Sequence, residues 1–215
     1  MMLKKLFLSI LLLTFLTGCQ SAYYSAMEQV GVHKRDILVD RVDSAKESQE
    51  EAQEQFKSAL EQYKAVVNFD GGELEAMYNR LEGEYEDSKS AAESVTKHID
   101  RVEDVAEALF EEWQEELTQY NNASLRRQSE RQLRDTKRRY KSLISSMRKA
   151  ERRMEPVLVA LNDNVLYLKH NLNARAIGAL KGELNAIRQD VDVLIRDMQT
   201  AINESNRFIK ELESK

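Results

Sequence analysis

The sequence predicts an all-α fold: an elongated antiparallel up-down four-helix bundle with coiled-coil packing, preceded by a cleaved N-terminal signal peptide. Three observations predict it. Apolar residues recur in alternating steps of three and four along four long segments. One proline and seven glycines are all that interrupt 215 residues. Charged residues make up 32% of the chain, the composition of long helices that bury one stripe and solvate the rest.

At the N-terminus, Lys4 and Lys5 precede an apolar stretch from Leu6 to Leu13, and Leu16-Thr17-Gly18-Cys19 closes the run. A basic head, a short apolar run and small residues at the cut make a secretory signal. The run is short for a transmembrane anchor. A cysteine after Leu-Thr-Gly resembles the lipobox of bacterial lipoproteins. That resemblance implies that residues 1–18 are removed and that Cys19 becomes an N-terminus carrying diacylglycerol and a fatty acid such as palmitate. This covalent lipid at Cys19 is the one non-protein group expected; no cofactor is. A plain secretory signal is the competing reading. Gln20 stands where enteric bacteria place Asp to retain a lipoprotein in the inner membrane. The expected address is therefore the bacterial cell envelope, at the periplasmic face of the outer membrane.

Removing residues 1–18 takes 32 basic residues to 30 against 37 acidic, a net charge of −7. An acidic balance argues against a nucleic-acid partner. Cys19 is the only cysteine, so no disulfide is available and stability must come from a buried helical seam. The expected organisation is a signal peptide over 1–18, an acylated N-terminus with a linker or short helix over 19–34, and a helical bundle over 35–215. Ser21 to Val30 has helical content and supplies the short helix before Gly31.

Three breaks divide the bundle. Asn68-Phe69-Asp70-Gly71-Gly72 stops one helix, and Asp70 with Glu73 starts the next. Tyr120-Asn121-Asn122-Ala123-Ser124 is the second, with Ser124 as N-cap. Asn171-Leu172-Asn173 is the third. The first helix carries Leu38, Val42, Ala45, Gln49, Ala52, Phe56, Ala59, Tyr63 and Val66 on one stripe. The second carries Leu74, Met77, Leu81, Tyr85, Ser88, Ala92, Val95, Ile99, Val102, Ala106, Leu109, Trp113 and Leu117. On the third the stripe is Leu133, Thr136, Tyr140, Leu143, Met147, Ala150, Met154, Val157, Leu161, Val165, Leu168 and Leu172. On the fourth it is Ile177, Leu180, Leu184, Ile187, Val191, Leu194, Met198, Ala201, Ser205, Phe208 and Leu212. Sustained spacing of this kind specifies left-handed, coiled-coil-like packing. Pro156 falls inside the third stripe without shifting its phase, so it kinks that helix and does not end it.

Tyr23-Tyr24-Ser25-Ala26-Met27, Gly31-Val32-His33-Lys34-Arg35-Asp36-Ile37-Leu38, Met154-Glu155-Pro156-Val157-Leu158 and Leu168-Lys169-His170-Asn171-Leu172-Asn173-Ala174 resemble stretches of a family of bacterial lipoproteins known as domain of unknown function 2959. The resemblance covers the chain after the signal peptide. It implies a coiled-coil envelope lipoprotein and assigns no catalytic or binding residue.

Catalytic chemistry finds no support. His33, His98 and His170 are far apart, and no Glu-x-x-His pair marks a di-iron bundle. The strongest asymmetry is a basic run from Arg126 to Arg153, twelve basic residues against three acidic ones, a surplus of nine. Pairing with the acidic end of the second helix, Glu103 to Glu116, is the expected use. The alternative is that Arg126, Arg127, Arg131 and Arg134 contact anionic phospholipid or an acidic partner. Ala174, Gly178, Gly182 and Ala186 recur every four residues and predict a close helix crossing; self-association into a homo-oligomer is the other option. Tyr23 and Tyr24, next to the anchor, are read as interfacial aromatics or as packing at the bundle base. The functional expectation is a non-enzymatic, membrane-anchored scaffold or adaptor for another envelope component, with a phospholipid-contacting bundle as the alternative.

Overall fold

In a computed structural model, the described residues are Tyr24, 27–29, 31–69, Gly71 and 73–214. Residues 1–18, read from the sequence as a signal peptide, lie outside them, as do Cys19, Tyr23 and Asp70. The chain is all-helical, with no strand among the described residues. Helix α1 is Lys34–Val67, α2 is Leu74–Glu116, α3 is Ala123–His170 and α4 is Ala174–Glu213. At 1.5 Å per residue, the 48 residues of α3 extend about 72 Å. Pro156 sits within α3, which continues through it as the phase of the stripe predicted.

The helix ends follow local chemistry, with two shifts from the sequence reading. The second helix starts at Leu74 behind Glu73, and not at Asp70. The third starts at Ala123, its cap two residues before the expected one. The Asn122 side chain accepts from the backbone N–H groups of Ser124 (2.9 Å) and Leu125 (3.2 Å), so Ser124 lies inside the helix. An Asx side chain two positions earlier caps a helix as well as the serine would, and spacing alone does not choose between them. Asn173 caps α4 in the same way, accepting from Arg175 and Ala176. Before α1, Tyr24 and residues 27–29 are helical. That turn ends at Gly31, whose φ of +85° lets Val32 N–H reach the Met27 carbonyl and Gly31 N–H reach the Glu28 carbonyl. Glycine adopts this left-handed geometry without penalty and closes a Schellman motif.

Each helix packs on two neighbours: α1 on α2 and α4, and α3 on α2 and α4. Every neighbouring pair runs in opposite directions. Lys34 at the start of α1 meets Glu112 near the end of α2 at 2.9 Å, while Gln55 donates to Glu84 at 2.8 Å. Trp113 Nε1 donates to Ser129 Oγ at 2.8 Å, and Arg148 meets Asp100 at 2.6 Å. Lys149 reaches Asp197 at 2.7 Å, and Arg139 reaches Glu211. Gln53 donates to the Ile195 carbonyl at 3.2 Å, and Tyr63 to that of Leu180 at 2.9 Å.

The stripes form one core. All nine stripe residues of α1 are buried. On the other helices the stripe is buried along its middle and half-buried at Leu74, Met77, Tyr85, Trp113, Tyr140, Ile177 and Leu184. Leu172, expected to end the third stripe, is 41% exposed because the chain has already left the helix there. Tyr63 is fully buried, and its hydroxyl lies between the Leu180 carbonyl and Asn164 Oδ1 (3.0 Å). Burial pushes its phenol well above the usual tyrosine value. Gln49 is fully buried as well, and neither atom of its amide has a partner among the described residues.

The row of small residues on α4 is not a helix crossing. Gly178, Gly182 and Ala186 are exposed, and a Cβ added at either glycine meets nothing within 4 Å. The α4 core face is Ala176, Leu180, Ile187, Val191 and Leu194; the glycines lie roughly half a helical turn away from it. Gly178→Ala and Gly182→Ala should therefore each stabilise the protein, by about 0.5–1 kcal/mol, read from denaturant unfolding. A loss of stability in both would show that the row is covered. Gln49→Leu should likewise raise stability, by about 1–2 kcal/mol, because it removes a buried amide without partners at little change in volume.

Candidate functional site

The basic run at the start of α3 sorts into two sets once the helix is placed. One set flanks the core and is paired. Arg148, 24% exposed, is held by Glu103, Asp100 and Glu151 together, with Glu151 contacted at 2.9 Å. Glu103 foremost, with Asp100 and Glu151, raises this guanidinium above its ordinary proton affinity. Lys149 and Arg153 share Asp197, Arg139 takes Glu211, and Lys137 donates to Gln114 while its ammonium lies 5.5 Å from the Phe110 ring centre. Phe110 packs edge-on against Tyr140, whose phenol is pushed up to about 12 by burial.

The second set faces away from the core. Arg127, Arg131, Arg134, Lys141 and Arg152 are exposed and form no ion pair among the described residues. Arg126 pairs with Glu130 and Arg138 with Asp135, both within α3. Of the four arginines expected to pair with late α2, none does so: Arg126 is satisfied inside its own helix, and Arg127, Arg131 and Arg134 point outward. The cross-helix ion pairing with α2 is done by Arg148, further along.

The outward set has the period of the bundle. Arg131, Arg138, Ser145, Arg152, Val159 and Leu166 are spaced by seven, and Arg127, Arg134 and Lys141 run beside them. A seven-residue repeat stays on one face in a left-handed supercoil. Arg127 to Arg152 is then a ridge about 38 Å long. Apolar side chains accompany it. Among the described residues, the large hydrophobic side chains left exposed are Tyr120, Leu125, Val159, Leu166, Tyr167 and Leu172, and each lies on α3 or in a turn flanking it. Val159, Leu166 and Tyr167 were not singled out from sequence, and Lys141 and Arg152 entered only as members of the basic run; the seven-residue spacing of Arg152, Val159 and Leu166, out of phase with the core stripe, is legible there. Glu155 and Asp163 are exposed acids beyond the basic stretch.

The N-terminal segment reaches the end of the molecule where this ridge begins. Tyr24 is buried, 7% exposed, and the Lys34 ammonium lies 6.0 Å from its ring centre. Lys34 also joins Glu28 to Glu112. Burial opposes the lysine charge, but the two carboxylates outweigh it and raise its pKa; burial raises that of Glu112. Tyr24 therefore packs at the base of the helices. Beside it a cleft of about 250 Å³ is lined by Arg35, Leu109, Trp113, Gln132, Thr136 and Leu212.

Other chemistry is sparse. His98 is half-buried, and burial foremost, then Arg101 and Arg41, lower its pKa. Among the described residues no group of three or more His, Cys, Asp or Glu side chains is arranged to hold a metal ion, and no helix is long and apolar enough to cross a membrane.

A family model described as "Protein of unknown function (DUF2959)" matches residues 23–212. No curated protein and no solved structure matches the chain.

The division of the basic run is open to test. Arg148→Gln should lower stability by about 1–2 kcal/mol, since it strands partly buried carboxylates. Arg131→Gln should change it by less than about 0.5 kcal/mol. Urea unfolding of the two variants gives the comparison; equal losses would mean that both arginines are paired.

Proposed function

Because the chain belongs to the DUF2959 family, whose function is unknown, we propose a role from its own residues: a non-enzymatic envelope lipoprotein, held by lipid on Cys19 at the periplasmic face of the outer membrane. The mature protein is an elongated antiparallel up-down four-helix bundle behind a signal peptide of residues 1–18. It acts as a scaffold or adaptor, presenting helix surfaces to another envelope component.

The observation that carries this reading is the Leu16-Thr17-Gly18-Cys19 block, followed by a body whose described helices give their apolar residues to one continuous core. Acyl chains add roughly 0.8 kcal/mol per buried methylene, and two or more chains anchor stably. A long core of this shape offers surface and little enclosed volume, which suits contact with a partner better than turnover of a substrate. A second reading, contact with phospholipid itself, is favoured by the outward cations and exposed apolar residues of α3.

Cys19→Ser should abolish incorporation of a palmitate analogue and release the protein from the membrane fraction. The readout is metabolic labelling together with fractionation in the native bacterium. Undiminished labelling of the Ser variant would overturn the lipoprotein reading.

A further inference from the structure

We propose that the outer face of α3 is a second membrane contact: it lies along an anionic phospholipid bilayer, so that the bundle reclines on the leaflet holding its acyl anchor. The proposal rests on the lipoprotein reading for its tether.

The first argument is charge across the bundle. Helices α1 and α3 are not neighbours; each packs on α2 and α4, so their outer faces point in opposite directions. The outer face of α3 carries Arg127, Arg131, Arg134, Lys141 and Arg152, all exposed and without an ion pair among the described residues. On α1 the exposed charged positions are Asp36, Asp40, Glu47, Glu50, Glu51, Glu54 and Glu61 against Lys57 alone, with Arg35, Arg41, Lys46 and Lys64 half-buried. An anionic plane attracts one face and repels the other, which sets the roll of the rod about its long axis.

The second argument is where the apolar side chains fall. The exposed ones are 40–52% accessible and strung along α3 and its flanking turns. A protein partner is held by a compact patch with a few deeply buried anchors. Isolated Leu, Val and Tyr residues at both ends of the cationic stretch, strung over about 70 Å with Glu155 and Asp163 the exposed acids near the far group, are instead the pattern of a helix at a lipid interface.

The third argument is reach. Cys19 and Tyr24 are five residues apart, and an extended chain spans at most about 3.5 Å per residue. An acylated Cys19 therefore holds the buried Tyr24, and the end of the bundle at which the ridge begins, within about 18 Å of the anchor. From there the ridge runs along the molecule; it does not cap its end. A rod standing upright would leave Arg152 and Leu166 unused.

The test uses the mature acylated protein, purified and reconstituted into vesicles. Acylation occupies the only native thiol, so Leu166→Cys and Glu61→Cys each accept one fluorophore. The two positions sit at similar height, since Tyr63 bonds to Asn164, but on opposite faces. Vesicles contain either phosphatidylcholine alone or added phosphatidylglycerol, each with a headgroup spin-labelled lipid as quencher. With phosphatidylglycerol, quenching at 166 should exceed that at 61 several-fold. The difference should shrink between about 0.05 M and about 0.5 M salt, as screening shortens to a few ångströms. It should disappear when Arg127, Arg131, Arg134, Lys141 and Arg152 become Gln, each cation being worth roughly a fivefold factor, and survive when the four arginines become Lys. Circular dichroism confirms that the variants remain folded. Equal, weak quenching at both sites means an upright rod and overturns the proposal; so does quenching indifferent to lipid charge, as would follow if α3 awaited an acidic protein. Mass spectrometry of the same preparation reports acylation. If the lipid is absent, the lipoprotein reading fails by itself, and salt-sensitive co-sedimentation of that chain with phosphatidylglycerol vesicles still decides the α3 face.

Discussion

Burial of one apolar stripe per helix, stepped alternately by three and four residues, is the constraint on which the rest of this structure depends. No disulfide assists it, since the chain has a single cysteine. The stripe fixes which side of each helix faces inward, and the short turns fix that successive helices run antiparallel. Positions beside the stripe then meet a neighbour and acquire partners, as Arg148, Lys149 and Arg153 do. Positions opposite the stripe are left unspecified by folding. Residue choice there is free to answer to something else, which is why five unpaired cations on one outer face carry more functional information than the larger number of charges in the run.

The core itself is not uniformly apolar. Gln49, Ser88, Thr136 and Ser205 occupy stripe positions and are buried. Ser88 and Ser205 return their hydroxyls to carbonyls four residues back, at 2.7 and 2.9 Å, so they cost little. Tyr63 ties three helices together through Asn164 and Leu180, a bond that a shift of α4 along α1 would break. Gln49 has no such compensation among the described residues. Small and polar core residues let helices approach closely and distinguish one register from another, at a cost in stability that a core of leucines would not carry.

Most of this fold was legible in the sequence because a stripe is a local, periodic signal. Its limits are equally physical. The starts of α2 and α3 shifted by three and two residues because several polar residues near a break can precede a first turn: α2 begins behind Glu73 with no side-chain cap bond, and Asn122 caps α3 in place of Ser124. The small-residue row on α4 was misread because spacing by four is the same on the inner and outer face; only its phase against Leu180 and Ile187 tells them apart, and that phase points outward. The arginines were misassigned for a related reason. Charge counted along the run ignores the partner: Arg127, Arg134 and Lys141 share the seven-residue phase of Arg148, yet of these only Arg148 meets the acids of α2. The seven-residue phase marks which rows face outward, and within a row only a residue that stands beside an acid is paired.

A reclining rod also reconciles the outward cations with an acidic protein. With the signal peptide removed the chain carries 37 acidic residues against 30 basic ones, so as a free molecule it is repelled by an anionic leaflet. Cations at a membrane surface contribute around 1 kcal/mol each, and five of them make a modest attraction that the net charge opposes. A covalent anchor changes the comparison. With the proposed lipid on Cys19 inserted, contact of α3 with the bilayer would be an intramolecular step at an effective concentration in the millimolar range, and a weak surface would suffice. The opposed faces of α1 and α3 then act as a difference: rolling the rod by half a turn exchanges attraction for repulsion. Orientation is the quantity such a weak surface is able to set, and affinity is left to the anchor.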